Sequence, residues 1–201
     1  MGMLAHDVLI ALNRLEKDDT QTSRRDFIRT LFAAVEGIVW QFRETVRSSA
    51  EDLDALPPML AMAMTETSYS VSESGKLTDQ QRFIPLPAMI RLVTNVAKEL
   101  APTLDIAFNE KGWDDLKRTI AIRNRITHPK GISDLAISSD DTKTAWSGLI
   151  WLLDHFAEVT QSVVNVQSDH LTMLKELVAG LKSDDPASLD LYRKTLVETD
   201  K

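Results

Sequence analysis

Residues 23–50, SRRDFIRTLFAAVEGIVWQFRETVRSSA, decide the fold: the stretch has no proline and one glycine, Gly37. Phe27, Leu31, Val35, Ile38, Phe42 and Val46 recur at steps of three and four, which is the period of one face of an α-helix. Phe32, Val39 and Trp40 project well away from that face, so the helix is apolar on two sides. A helix of this kind is either wrapped by its neighbours or offers its second strip to another subunit. Central burial is the expectation.

The rest of the chain supplies neighbours for such a helix. Leu4, Val8, Leu12 and Leu15 mark a short N-terminal docking helix that ends in the polar run Lys17 to Thr22. Pro57-Pro58 opens an apolar stretch whose methionines, Met59, Met62 and Met64, read as core filling. The alternation from Tyr69, broken by Ser74-Gly75 and leading to Arg82-Phe83-Ile84-Pro85, predicts a small β-hairpin around 69–84. A helix from Leu86 to Leu100 is stopped by Pro102. The next begins near Trp113-Asp114-Asp115, acidic at its start and basic at its end as the helix dipole favours, and Pro129 stops it.

After a loop from Lys130 to Ser139, a helical pattern runs from Asp140 to Leu181. Unbroken, it would reach about 60 Å, longer than a domain is wide, so a break is expected near Asn165 to Asp169. The tail adds one amphipathic helix through Leu189, Tyr192 and Leu196. The expected fold is an all-α helical bundle with a small hairpin excursion. It divides into a docking helix (1–22), a helical domain (23–165) and a C-terminal helical extension (166–201).

Composition narrows the chemistry. The 201 residues, 43% hydrophobic and 26% charged, suit one globular core. Having no cysteine, the chain cannot form disulfides, thiolate nucleophiles or iron–sulfur ligation. The start, Met1 to Asp7, has no signal-peptide character and no apolar run approaches a membrane span, so a cytoplasmic protein without membrane contact is expected. The net charge of −7 gives no global attraction to nucleic acid. Any polyanion site must be local, and the candidate is the patch of Lys117, Arg118, Arg123, Arg125 and Lys130, which a solvated helix face would equally explain. There is no glycine-rich phosphate loop or nucleophile elbow, and His6, His128, His155 and His170 lack the His-x3-His spacing of a helical metal pair. No metal or cofactor is expected, and His155 and His170 read as structural or surface residues.

The sharp chemical clue is Ile122-Arg123-Asn124-Arg125-Ile126-Thr127-His128-Pro129. On an ideal helix Arg123 shares a face with Leu116 and Ile120, so an arginine points to the core side, where a carboxylate, carbonyls or an anion must meet it. His128 lies about 140° around the helix from Arg123, and the turn at Pro129 can bring the two together. Asn124 can orient either. The plain alternative is a brace, with His128 capping the last carbonyls and Arg123 in a structural ion pair.

The form Arg-Asn-x-Ile-x-His-Pro resembles the HEPN family, whose pattern is an arginine, usually a polar residue, a few more residues and a histidine. Arg123, Asn124 and His128 match it, Gly112-Trp113 through Lys130 widens it, and the resemblance covers roughly 24–159. It implies an all-α bundle, frequent homodimerisation and, in many members, metal-independent endoribonuclease activity in toxin–antitoxin or antiphage systems; other members are inactive binding modules. An acidic residue on an early helix often accompanies the motif, and Glu36 is the candidate, though Glu36 could equally be an ion-pair partner of Arg43 or Arg123.

In the implied mechanism His128 acts as general base or acid while the RNA 2′-hydroxyl attacks the adjacent phosphate, leaving a 2′,3′-cyclic phosphate. Arg123 neutralises the phosphate, Asn124 holds the histidine or a phosphate oxygen, and Arg118, Arg125 and Lys130 bind RNA. In some toxins paired with a nucleotidyltransferase antitoxin a modifiable tyrosine follows the histidine by two. Lys130 stands there instead, so that modification is not expected, while an antitoxin or other regulatory protein remains an expected partner. The alternatives are an RNA- or nucleotide-binding module that does not cut, and a protein-interaction module.

Overall fold

A computed structural model describes residues 2–199, with side chains to Lys194. Among these residues seven α-helices and one hairpin follow in the order α1 (Gly2–Lys17), α2 (Gln21–Asp52), α3 (Pro58–Met64), β1 (Thr67–Val71), β2 (Leu77–Gln81), α4 (Leu86–Leu100), α5 (Lys111–Thr127), α6 (Ser139–Lys182) and α7 (Pro186–Thr199). The fold is an all-α bundle with a small antiparallel hairpin, in register Thr67↔Gln81 to Val71↔Leu77.

Helix α2 is the hub and packs on α1, α3, α4, α5 and α6. It starts where the Thr20 hydroxyl accepts from Ser23 N at 3.2 Å, satisfying one of the free N–H groups of its first turn. Phe27, Leu31, Val35, Phe42 and Val46 are fully buried, and on the second strip Phe32 and Val39 are buried too, so α2 is covered on both sides as expected. Trp40 departs from the pattern, with 60% of its surface exposed.

Helix α5 lies against α6 at close range. A Cβ at Gly148 would sit 2.8 Å from the backbone of Leu116, and only glycine allows that approach. Trp113 and Leu116 are buried at this contact. Asp115 is buried beside them; burial would raise its carboxyl pKa, but hydrogen bonds from Lys111 and Ser147, together with the charges of Lys111 and Arg118, outweigh that and hold it below the usual carboxylate range.

Two expectations are corrected. The break near 165–169 does not occur: α6 is continuous from Ser139 to Lys182, about 66 Å at 1.5 Å per residue. No glycine or proline lies between Gly148 and Gly180 to interrupt it. The length is accommodated outside the core, because among the described residues none beyond Val163 is buried, and α7 folds back on the projecting end. Met59, read as core filling, is 80% exposed, whereas Met64 of the same helix is fully buried. In α7, Leu196 lies outside the described side chains. No helix among the described residues is long and apolar enough to cross a membrane.

Candidate functional site

The close α5–α6 contact aims the other end of α5 at α2. There the Arg123 guanidinium lies over the Phe32 ring, 4.8 Å from its centre, and bridges two acceptors. One terminal nitrogen donates to Glu36 Oε1 at 3.3 Å and the other to Asn124 Oδ1 at 3.1 Å. Arg123 thus sits at the edge of the core, against an aromatic face. Glu36 is the acid that meets it, while Arg43 pairs with Glu44 and Glu66 instead. Arginine carries five N–H donors, so capacity for an anion remains after these two contacts.

Arg123, Asn124 and Glu36 border a groove of about 430 Å3 whose remaining wall is largely apolar, including Trp40, Phe83 and Met89. The segment carrying Phe83 is tied down by Glu66, which has φ 55° at the foot of the hairpin. The Glu66 carboxylate accepts from Ile84 N at 2.7 Å and from Arg43 at 3.3 Å, and its carbonyl accepts from Arg82 N at 2.7 Å.

His128 closes α5. Its backbone leaves the helical region at φ −124° and ψ 60°, as a residue before proline must, while its N–H still donates to Asn124 O at 3.0 Å. The imidazole is exposed and makes no hydrogen bond or ion pair with another described residue. It lines a shallow hollow with Asn124, Arg125, Lys130 and Asp134. The turn at Pro129 does not join His128 to Arg123 by a hydrogen bond. The two border neighbouring hollows, and Asn124 lines both.

The expected RNA-binding cations divide three ways. Arg125 donates to the carbonyls of Ala136 at 2.8 Å and Asp134 at 3.2 Å and pairs with Asp141 at 3.6 Å, which commits it to bracing the loop ahead of α6. Lys130 gives its backbone N–H to Asp134 at 2.7 Å, and its side chain is exposed beside His128. Arg118 is exposed on α5 but lines neither hollow. Among the described residues no group of three or more His, Asp or Glu is placed to hold a metal ion.

The aromatic side of the site is not legible in the sequence. Phe32 and Trp40 were visible as a second strip on α2, but nothing in the spacing marked Trp40 as the one left uncovered. Phe83, 84% exposed, follows the hairpin outside any periodic pattern.

The chain has no match among protein-family models, curated proteins or solved structures.

Proposed function

We propose that the chain is a metal-independent endoribonuclease of HEPN type, acting as a homodimer and restrained in its cell by an antitoxin or other regulatory protein of a toxin–antitoxin or antiphage system. The observation that carries this reading is one helix end that presents to solvent Arg123, Asn124 and a His128 whose ring has no partner among the described residues. Between Leu116 and Ser133 there are five cations and no carboxylate, a local exception in a chain of net charge −7.

A phosphodiester lying over Asn124 meets the Arg123 guanidinium on one side and the His128 imidazole on the other. The 2′-oxygen attacks phosphorus while its proton passes to an imidazole, and the bond to the 5′-oxygen breaks as that oxygen gains a proton. The products are a 2′,3′-cyclic phosphate and a 5′-hydroxyl. Imidazole suits both proton transfers near neutrality. One ring cannot be base and acid at the same instant, so a second copy of His128 from the other protomer supplies the partner.

The test is incubation of an oligoribonucleotide pool in EDTA, with the product ends analysed. Cyclic-phosphate and 5′-hydroxyl ends are expected, along with resistance of any strand whose cleaved nucleotide lacks its 2′-hydroxyl. The second reading is a module that binds RNA or a nucleotide without cutting, favoured by the engagement of Arg123 with Glu36 and Asn124. Binding without products in that assay selects it.

A further inference from the structure

We propose that the groove beside Arg123 is a nucleobase subsite, in which one unstacked base of single-stranded RNA lies against Trp40 and Phe83 while its phosphate reaches Asn124. The RNA ligand rests on the functional reading above; the stacking role of the two aromatics does not follow from it and stands on separate observations.

Trp40 and Phe83 are large, apolar and exposed at 60% and 84%, one on α2 and the other on the segment between β2 and α4, yet they line one groove. The groove's floor, with Phe32, Val39 and Met89, is buried, whereas Trp40 and Phe83 on its walls stay open to solvent. At about 430 Å3 the groove is the size of a small-ligand cleft rather than a flat protein interface. In the groove Arg123 and Arg43 are matched by Glu36 and Glu66, and the cationic excess lies across Asn124, where the adjoining hollow carries His128, Arg125 and the exposed Lys130 side chain beside one carboxylate, Asp134. An apolar aromatic slot that opens onto a cationic strip is how proteins hold single strands, the base on a ring face and the phosphate on the cations. A second copy of this chain would need a broader apolar face and would gain nothing from the cationic strip.

The slot also constrains the substrate. A base can enter only if it is splayed from its neighbours, so the subsite selects single strands, loops and bulges over duplex.

The experiment measures equilibrium binding of a short single-stranded RNA, the same RNA with abasic positions, and its duplex. The proteins are full-length His128→Ala, used as background so that the RNA stays intact, and the same chain with Trp40→Ala, Phe83→Ala or Trp40→Phe; mass in solution is recorded in parallel. Each alanine change is expected to weaken single-strand binding about tenfold, the loss of one base stack, while Trp40→Phe keeps most of the affinity. One abasic position should weaken binding to the background protein and not to Trp40→Ala, and duplex binding should be weaker and indifferent to all three changes.

The proposal is overturned if folded Trp40→Ala binds single strands as tightly as the background. It is also overturned if the alanine changes act only by dissociating a dimer, which would make the groove an interface between copies. Trp40-dependent binding by a chain whose wild type never cuts RNA would support the subsite and sink the ribonuclease reading. Cutting with no Trp40 dependence would do the reverse, and the absence of any RNA binding overturns both.

Discussion

Two histidines of this chain occupy opposite situations. His155, on α6, is 4% exposed, stacked on Trp151 at 4.8 Å between ring centres and met edge-on by Phe42 at 5.7 Å. The Thr94 hydroxyl donates to Ile90 O at 2.8 Å and therefore accepts from His155 Nε2–H at 2.8 Å. His128 ends α5 in solvent with no partner for its ring among the described residues. A histidine whose ring is packed and hydrogen-bonded serves the fold, and one held only by its backbone at a helix end is free for chemistry. Changes around His155 should therefore be read in stability, and changes around His128 in function.

The largest effect in stability is expected from Trp113→Ala. Trp113 belongs to the same aromatic cluster, 5.3 Å from Trp151, and is almost fully buried. Removing it should cost about 3–5 kcal/mol in urea unfolding, the usual range for a buried aromatic. A loss below 1 kcal/mol would break the view that this cluster anchors α5 to α6.

Next comes the pH dependence. Burial, helped by nearby Lys98, pushes the His155 pKa down to about 4 from its ordinary 6.5. The unfolded chain takes up that proton near pH 6.5 and the folded chain only near pH 4. This contribution is complete above pH 6.5 and is lost as pH falls toward 4, by on the order of 2–3 kcal/mol. His155→Gln should flatten the decline over that window; an unchanged slope would assign it to carboxylates instead. Thr94→Val, which strips the ring of its partner, should cost about 1–3 kcal/mol at pH 7.

How much of this could be read from the chain alone depended on range. The α2 pattern was readable because a helix period is local, and so were the stop at Pro129 and the hairpin around Gly75. The continuity of α6 is not legible in the sequence, because a helix usually ends where the core ends; this one runs past it and recruits α7. Arg123 could be placed on the core side from its spacing to Leu116 and Ile120. Its partner Glu36, 87 residues away, could be no more than a candidate, because which acid faces it is set by how α2 and α5 pack. The expected meeting of Arg123 and His128 needed the geometry of one turn, and the helix end instead leaves them in separate hollows with Asn124 between.

The smallest stability effect belongs to that ion pair. Arg123 and Glu36 are 31% and 51% exposed, so Glu36→Gln should change unfolding by no more than about 1 kcal/mol. Its consequence lies in the site, where Arg123 loses a restraint. A loss of several kcal/mol would instead make the pair a structural brace and blur the contrast between the two regions.

The most direct test of that contrast measures two quantities on the wild type and His128→Ala: the initial rate of RNA cleavage in EDTA and the midpoint of urea unfolding. The rate is expected to fall by about 100-fold or more, the scale of a lost general acid–base group, with the unfolding free energy unchanged within about 0.5 kcal/mol. Cleavage by His128→Ala at the wild-type rate, a shifted midpoint, or a wild type that leaves RNA intact would contradict the assignment of His128 to chemistry.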